Sequence, residues 1–366
     1  MSLADLNLHE LAALEGPPRS FLTFYFTGEG GARELKNRAA TARGLIEHDE
    51  PDRLADFDAA LERLNALMDG ESFEQGAGYC LMACPAAKVE RGFKLTTPAE
   101  TSFRAARSPN LRPLAELQDE YEPFLLVAAD NDGARILQIA GAVADAEEAV
   151  KGGVKNRVKK GGWSQQRYAR RRKGQLHRYA AEVAERLAEL TKEHGPERIV
   201  LLGSQETRQQ IEAELPDRLK ERVIAAEGFD LHAAEEALVE EGLRLFQQEE
   251  RREEQALWKR IQNETLSGGL GAIGPEDVLT ALQTGRVDEL AVDHDVTIEG
   301  SRCDACTTAF AQVHDRCPLC DSEDVTPIAL VEELVRLAEQ TDADVEFAQG
   351  VQGLVENGGV AALLRW

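Results

Sequence analysis

The chain has 366 residues, of which 43% are hydrophobic and 30% are charged, and its formal net charge is −24. At about 100–200 residues per domain, this length predicts two or three domains. The apolar content is sufficient to bury several cores, which excludes disorder of the whole chain. The sequence has no run of about 18 apolar residues, which excludes a membrane-spanning helix. The acidic N-terminal stretch lacks a signal-peptide pattern, so we expect a cytoplasmic protein.

The excess of acidic residues stops in one segment. Between Lys151 and Arg178 there are eleven Lys and Arg residues and no Asp or Glu. Taking this +11 from the net charge of −24 leaves −35 for the rest of the chain. The general acidity is typical of a solubility adaptation, as in high salt, and it argues against a nucleic-acid partner. A basic run is often only a solvated loop, but its contrast with the surrounding sequence favours contact with a polyanion.

Residues 1–121 are predicted to form an N-terminal α/β domain. Its predicted elements are a strand at residues 20–26, helices at 33–45 and 52–68, and a second strand at 78–84. Cys80 and Cys84 lie in the second strand, with no other pair of cysteines nearby. We therefore interpret them as core residues rather than metal ligands.

Residues 122–264 are predicted to form a second domain. Its predicted elements are strands at 124–129, 134–139, 198–202 and 223–225, a helix at 164–194 and a long charged helix at 231–263. The first of these helices has one apolar face, formed by Leu176, Tyr179, Val183, Leu187 and Leu190. The order of strands and helices predicts a mainly parallel sheet covered by helices. The long charged helix is expected to bridge to the next domain.

Residues 265–366 are predicted to form a third domain, also α/β. Its opening stretch, residues 267–274, is rich in glycine but lacks the Lys-Ser/Thr of a phosphate-binding loop, so we interpret it as a hinge. The predicted elements that follow are helices from 275 and at 329–341, and strands at 289–292 and 345–348.

Four of the six cysteines form two Cys-x2-Cys pairs within residues 301–322. They are Cys303 with Cys306 and Cys317 with Cys320, and ten residues separate the pairs. Each pair can place two thiolates on one ion, and two pairs complete a tetrahedral zinc site. Four cysteine ligands leave no open position, so the pattern predicts a structural Zn²⁺ rather than a catalytic one. A redox pair or a site that has lost its metal are the alternatives.

The centre of the basic run combines two glycines with polar residues. Gly161 and Gly162 let the backbone enter a narrow site, and Ser164 can cap the helix that follows. Gln165 and Gln166 come next. A glutamine does not titrate near neutral pH, but it can position a water molecule or donate to an oxyanion. A mobile basic loop before a helix is the alternative interpretation.

The order of the three domains resembles that of the archaeal and eukaryotic class I peptide-chain release factors. Residues 276–290 resemble the opening of that family's third domain, and residues 358–365 resemble its end. The resemblance covers nearly the whole chain, weakly in the N-terminal third and well from about residue 124. It implies a three-domain release-factor-like architecture of the α/β (α+β) class. Archaeal members carry a similar zinc ribbon in the third domain.

The sequence departs from the family in two places. Release factors have an uninterrupted Gly-Gly-Gln, whereas here Trp163 and Ser164 separate Gly162 from Gln165. This spacing and the arginine-rich continuation look like the Vms/ANKZF-like branch, which frees nascent chains from tRNA on stalled large subunits in ribosome-associated quality control. Decoding release factors also carry an Asn-Ile-Lys-Ser motif, which is missing from residues 1–120. Its absence argues against the reading of stop codons.

The resemblance implies a codon-independent peptidyl-tRNA hydrolase that is active only on the ribosome. It gives the water-positioning or oxyanion role to Gln165, with Gln166 in reserve, on the loop of Gly161, Gly162 and Ser164. The residues expected to bind RNA phosphates are Lys159, Lys160, Arg167, Arg170, Arg171 and Arg172. The implied partners are the large ribosomal subunit and peptidyl-tRNA, without a membrane or DNA, and we expect a monomer. Cleavage of the tRNA near its 3′ end, as in some relatives of this branch, remains an alternative chemistry.

Two other functions remain open from the sequence. The protein could be a non-catalytic, Pelota-like factor of ribosome rescue or hibernation, or a stop-codon-dependent termination factor. A second segment, Gly203-Ser204-Gln205, has a sequence similar to that of the loop motif. It follows a predicted buried strand outside the basic run, so we interpret Ser204 as a helix cap.

Overall fold

The computed structural model describes residues 6–70, 72–95, 97–140, 143–151, 163–194, 198–226 and 233–366. The chain divides into two compact units, one of residues 1–120 with 254–366 and the other of residues 121–253. Sheets and helices are mixed throughout, which confirms the predicted α/β class. The division into three domains stays a prediction. Within the described ranges no helix is both long enough and apolar enough to cross a membrane.

The N-terminal part of the first unit contains an antiparallel sheet. Its strands are β1 (Phe21–Thr27), β2 (Gly78–Cys84), β3 (Val89–Leu95) and β4 (Ser102–Ala106), in the order β3-β2-β1-β4. Its helices are α1 (Leu8–Ala12), α2 (Gly31–Asp49), α3 (Leu54–Gly70) and α4 (Arg112–Glu120). Aromatic rings fill the core, where Phe24 and Phe26 stack at 4.9 Å between centroids. Cys80 and Cys84 are buried in β2, as predicted, and burial raises the pKa of Cys80 to about 12.

The second unit is built on a five-stranded sheet. Its strands are β5 (Phe124–Ala129), β6 (Gly133–Ala140), β7 (Val143–Lys151), β8 (Arg198–Gly203) and β9 (Val223–Ala226), in the order β7-β6-β5-β8-β9. Strands β5, β8 and β9 are parallel, but β6 and β7 run antiparallel. The prediction of a mainly parallel sheet is therefore wrong, because two of the four pairings are antiparallel. The turn at residues 130–133 is consistent with the hairpin of β5 and β6, but the sequence does not predict β7, because its Ala and Glu residues have low strand propensity.

Helices cover both faces of this sheet. They are α5 (Trp163–His194), α6 (Gln205–Glu214), α7 (Asp217–Lys220) and α8 (Glu235–Leu266). All five residues of the predicted apolar face of α5 are buried against one side of the sheet, which confirms that prediction. On the other side, Phe246 of α8 stacks on Phe124 at 4.7 Å. Helix α8 continues past Glu253 into the first unit, as expected of the bridging helix.

The C-terminal part of the first unit holds a mixed sheet and a small ribbon. The sheet strands are β10 (Gly271–Ile273), β11 (Val287–Asp293), β15 (Asp344–Ala348) and β16 (Val360–Leu364), and the helices are α9 (Pro275–Gln283), α10 (Leu330–Gln340) and α11 (Gln352–Glu356). The ribbon strands are β12 (Glu299–Cys303), β13 (Ala309–Phe310) and β14 (Val325–Ala329). The segment interpreted as a hinge instead contains β10, which pairs with β16. A Cβ at Gly271 would lie 2.6 Å from the Ile261 carbonyl oxygen, so close packing explains the glycine.

Gly203, at the end of β8, is required for a close backbone approach. Its φ is +146°, and a Cβ there would lie 2.1 Å from the carbonyl oxygen of Ala129 on the neighbouring strand.

We therefore expect Gly203→Ala to lower the free energy of unfolding by about 3 kcal/mol or more, through strain and overlap. Gly174→Ala is the matched control, because a Cβ at that position in α5 meets no atom within 4 Å. It should stabilise the protein by about 1 kcal/mol through helix propensity. Urea denaturation of the two variants tests this, and equal stabilities would contradict it.

Candidate functional site

The carboxyl ends of β5 and β8 bring two loops together. These strands are parallel neighbours, with Ala129 paired to Gly203 at their ends. After β5, the Asp130 carboxylate accepts hydrogen bonds from the backbone N–H groups of Asp132 (2.6 Å) and Gly133 (3.0 Å), which closes a tight turn. After β8, the loop turns directly into α6. Both loops face the same edge of the sheet, where ligands often bind in open α/β sheets.

Ser204 caps α6, as the sequence predicts. Its hydroxyl oxygen accepts a hydrogen bond from the backbone N–H of Thr207 at 3.3 Å, and its own backbone is extended. This is ordinary N-cap geometry. Gly203-Ser204-Gln205 therefore has a structural explanation as a strand end and helix cap.

Arg172 of α5 contacts both the turn after β5 and the first turn of α6. Its guanidinium donates two hydrogen bonds to the Glu206 carboxylate, at 2.5 and 2.9 Å, and approaches Asn131 Oδ1 at 3.4 Å. Hydrogen bonding to Glu206 raises the pKa of Arg172. The side chain is only 18% exposed, because Arg172 stands four residues before Leu176 and extends the buried face of the helix. Arg172 thus holds the first half of α5 against the sheet.

The neighbouring cations on α5 point to solvent. Arg170, Arg171, Lys173 and Arg178 are all exposed. Among the described residues no ion pair involves Arg170, Arg171 or Lys173. His177 is also exposed, and its Nδ1 lies 2.8 Å from Glu214 Oε1. The apolar face fixes the orientation of the helix, so its opposite side presents a row of positive charge.

The four ribbon cysteines converge on one point. Their sulfur atoms all lie within 4.8 Å of one another, and the Cys303–Cys320 and Cys306–Cys317 Sγ pairs are each 3.6 Å apart. A tetrahedral site with Zn–S bonds of about 2.3 Å requires sulfur atoms about 3.8 Å apart. The four thiols therefore fit a tetrahedral ion and can bind a metal such as zinc.

The two Cys-x2-Cys pairs have the same backbone geometry. In each, the N–H of the first cysteine donates to the carbonyl oxygen five residues later, Thr308 for Cys303 (3.0 Å) and Ser322 for Cys317 (2.8 Å). The residue after each second cysteine, Thr307 or Asp321, has positive φ. Hydrogen bonds with the side chain and backbone of Thr308 lower the pKa of Cys306 to about 6. A thiolate, which is the form that binds metal, is therefore accessible near neutral pH.

Comparison with known proteins assigns a family to the part of the chain that contains α5. Residues 109–251 match the family model of bacterial archaeo-eukaryotic release factor family 10. The peptide chain release factor subunit 1 of Archaeoglobus fulgidus is 28% identical over 280 residues, which cover 70% of this chain and 68% of that protein. The same protein of Thermococcus onnurineus is 25% identical over 297 residues, covering 72% and 71%.

The chain is therefore similar in sequence to the archaeo-eukaryotic release factors, most specifically over residues 109–251. A solved structure described as ribosome-bound archaeal Pelota and ABCE1 is 15% identical to this chain and covers 79% of it and 78% of that chain, with a TM-score of 0.41. Membership in the Vms/ANKZF-like branch stays a prediction.

The predicted catalytic loop of this release-factor-like protein is mostly outside the described residues. Lys159, Lys160, Gly161 and Gly162 lie there. Ser164, Gln165, Gln166 and Arg167 belong to α5, which begins at Trp163, one residue before the predicted start. Their side chains are outside the described part, so their roles stay predictions. Arg170 and Arg171 are exposed as phosphate binding requires, whereas Arg172 is engaged by Glu206.

The sequence does not identify three residues of these sites. Asn131 and Glu206 hold Arg172 of α5, and Asp304 lies between Cys303 and Cys306, two of the predicted metal ligands. The spacing of Arg172 from Leu176, four residues, is a signal that Arg172 lies on the buried face of the helix. No comparable signal identifies its partners, because Asn131 lies in the turn after β5, 41 residues away, and Glu206 lies in the first turn of α6, 34 residues away.

The anchoring role of Arg172 predicts unequal effects for two adjacent arginines. Arg172→Ala should lower the free energy of unfolding by about 1 kcal/mol, since the Arg172 side chain is 18% exposed and its partner Glu206 is 59% exposed. Arg171→Ala should change it by less than about 0.5 kcal/mol. Chemical denaturation of both variants measures the difference, and equal effects would argue against the anchor.

The sulfur geometry predicts about one zinc ion per chain. Cys303→Ser and Cys317→Ser each remove a buried ligand and should abolish metal binding and lower the Tm, because the ribbon has few apolar residues of its own. Cys84→Ala changes a buried cysteine far from the ribbon in sequence and should leave the metal content unchanged. Elemental analysis and thermal melts provide the measurement. Full zinc content in Cys303→Ser would refute the site.

Proposed function

We propose that the protein releases nascent chains from peptidyl-tRNA on stalled ribosomes or large subunits, without reading a codon. The main support for this proposal is the basic segment from Lys151 to Arg178. It contains no Asp or Glu, although the whole chain has a net charge of −24. Where the structure describes this segment, Arg170, Arg171, Lys173 and Arg178 lie exposed on the first half of α5, in the region that matches the release-factor family model. The similarity to peptide chain release factors supports the ribosome as the partner.

The basic segment binds the phosphates of the tRNA acceptor end. Arg170 and Arg171 are free of carboxylate partners within the described residues, so no ion pair has to break before they contact RNA. Lys159, Lys160 and Arg167 extend the same positive segment toward the glycines. Arginine can bind a phosphate through two parallel hydrogen bonds, which fixes orientation as well as affinity. Arg172 contributes by holding the helix.

The loop performs ester hydrolysis without a titrating side chain. The Gly161-Gly162 backbone enters the narrow peptidyl-transferase centre, and the amide of Gln165 or Gln166 positions a water molecule. The water oxygen attacks the ester carbonyl carbon, and the same amide or a backbone N–H stabilises the oxyanion. The bond to the terminal ribose oxygen then breaks, and that oxygen takes a proton. The products are the free peptide and intact tRNA.

Gln165 and Gln166 occupy different register positions along helix α5. Positions four and seven residues apart share a helix face. Gln166 therefore shares the register of Arg170 and Lys173, and Gln165 shares that of Arg172. This makes separate variants of the two residues informative.

A tRNA-cleaving activity is the alternative chemistry of the same loop. A ribose hydroxyl would attack the adjacent phosphate, and arginine side chains would stabilise the pentavalent phosphate. The peptide would then leave attached to a short 3′ fragment of the tRNA.

The remaining roles are structural. Cys303, Cys306, Cys317 and Cys320 hold a structural Zn²⁺, whose four sulfur ligands leave no coordination position for substrate. Residues 265–366 dock on the ribosome, and the metal stiffens their ribbon. The protein acts as a monomer in the cytoplasm.

A second candidate is a non-catalytic, Pelota-like rescue or hibernation factor. In this function the loop of Gly161 and Gly162 acts as an RNA clamp rather than as a catalytic loop. It predicts firm binding to idle ribosomes without peptide release. Stop-codon-dependent termination is disfavoured by the missing decoding motif.

The deciding experiment measures release of labelled peptide from peptidyl-tRNA on purified large subunits without mRNA, followed by sizing of the tRNA. We expect free peptide and full-length tRNA. Gln165→Ala or Gln166→Ala should reduce release by about 100-fold or more, as for loss of an oxyanion donor, and leave ribosome binding intact. Gln205→Ala, on the exposed start of α6, is the matched control and should release normally.

Each other outcome has a distinct meaning. A short 3′ fragment on the peptide indicates tRNA cleavage. Binding without release supports the rescue or hibernation factor. Normal release by both glutamine variants would overturn their catalytic role.

A further inference from the structure

The first Cys-x2-Cys pair carries an acidic residue that contacts the N-terminal part of the first unit. Asp304 stands between Cys303 and Cys306, and its side chain is only 5% exposed. Its carboxylate lies 3.1 Å from Arg107 Nη1 and 3.7 Å from Arg53 Nη2. It also accepts a hydrogen bond from Thr326 Oγ1 at 2.8 Å. A buried carboxylate of the metal ribbon therefore joins two arginines from distant parts of the chain.

Two further ribbon residues contact the same N-terminal part. Asp324 pairs with Arg53 at 2.9 Å. Arg302, on β12, pairs with Glu15 at 3.0 Å. Burial raises the pKa of Glu15, but its three arginine neighbours outweigh burial and hold that pKa below its usual value. The contact is thus a set of charge pairs that runs in both directions across the interface.

Other contacts between the same two parts come from α10 and from loops. Glu332 pairs with Arg104 at 2.7 Å, and Arg112 donates to the carbonyl oxygens of Val296 (2.9 Å) and His294 (2.6 Å). A cavity of about 520 Å³ opens beside these pairs. Apolar side chains of α1 and α4, such as Leu11 and Leu114, are also buried in this unit, where α1 packs on α10 and α4 packs on α10 and β15. The ribbon pairs therefore form a polar edge of a contact that also has an apolar part.

The position of Asp304 depends on the fold of its Cys-x2-Cys pair. The ribbon contains a strand of only two residues, Ala309–Phe310, and few apolar residues, so a metal bound by the four sulfur atoms would order it. The backbone N–H of Asp304 donates to the Asp324 carbonyl oxygen at 2.9 Å, so both acids belong to the same small, metal-ordered structure. Without the ion, the two acids lose the geometry that Arg53 and Arg107 require.

We propose that metal binding to the ribbon creates the docking surface for the N-terminal part, residues 6–120, through Asp304 and Asp324. The loaded ribbon fixes the polar edge of this contact, and metal loss loosens the contact while each sheet stays folded. The inference rests on the zinc site proposed above and is independent of peptide release.

The test compares the full chain with and without zinc. Metal content is measured first, then small-angle X-ray scattering and amide hydrogen exchange of residues 8–13 and 107–111. Chelation should increase the radius of gyration and speed exchange in both segments. Metal-free protein with unchanged scattering and exchange would overturn the proposal, and a chain that binds no zinc would instead overturn the zinc site.

A variant that keeps the metal separates docking from general unfolding. Asp304→Asn leaves all four cysteines in place and should retain zinc, yet it should weaken docking by about 100-fold, the loss expected for breaking a buried ion pair. Asp315→Asn is the matched control, since Asp315 is an exposed acid of the same ribbon. Arg107→Gln combined with Asp304→Asn should be little worse than Asp304→Asn alone. Zinc-loaded Asp304→Asn that docks like the unmodified chain would refute the role of Asp304.

Discussion

In a chain of net charge −24, carboxylates compete with any external polyanion for the arginine side chains. Several arginines of the fold pair with acids: Arg172 with Glu206, Arg107 with Asp304, and Arg198 with Glu250 and Glu253. Exchanging such a carboxylate for a phosphate replaces one charged hydrogen-bonding partner by another, so it adds little affinity. A polyanion gains most from cations without an acidic partner. The acid-free stretch of sequence creates that condition locally, within a chain whose other residues carry an excess of acids.

Packing of α5 decides which of its cations remain available. Its buried face runs from Leu190 back to Leu176 and reaches Arg172, where apolar contact gives way to a polar anchor. The residues beside Arg172 are turned outward by the same helical geometry. One helix therefore supplies both a fixed attachment to the sheet and an exposed row of charge. A displacement of the helix would move both, so the contacts of Arg172 also determine the position of the exposed cations.

Patterns that are local in sequence allowed correct predictions. The apolar face of α5, the cap at Ser204, the buried Cys80 and Cys84, and the grouping of the four ribbon cysteines all depend on spacing within a few turns or one motif. The antiparallel β7 was missed because its composition favours a helix. The anchor of Arg172 and the pairs of Asp304 were missed because ion pairs between distant segments leave no periodic signal. The hinge interpretation of residues 267–274 failed because Gly271 packs closely in β10, which pairs with β16.

The charge pairs between the N-terminal part and the C-terminal part of the first unit are held in place in two different ways. Glu332 stands on α10, whose Leu330, Leu334 and Val335 are buried, so an apolar core holds its position. Asp304 and Asp324 have no such support, because the ribbon has a two-residue strand and little apolar residue to bury. With the proposed zinc bound, its sulfur ligands order these two acids, since a small structure without a core needs a metal to hold its fold. Ion pairs to the ribbon therefore depend on the metal in a way that the pair on α10 does not, although both join the same two parts of the chain.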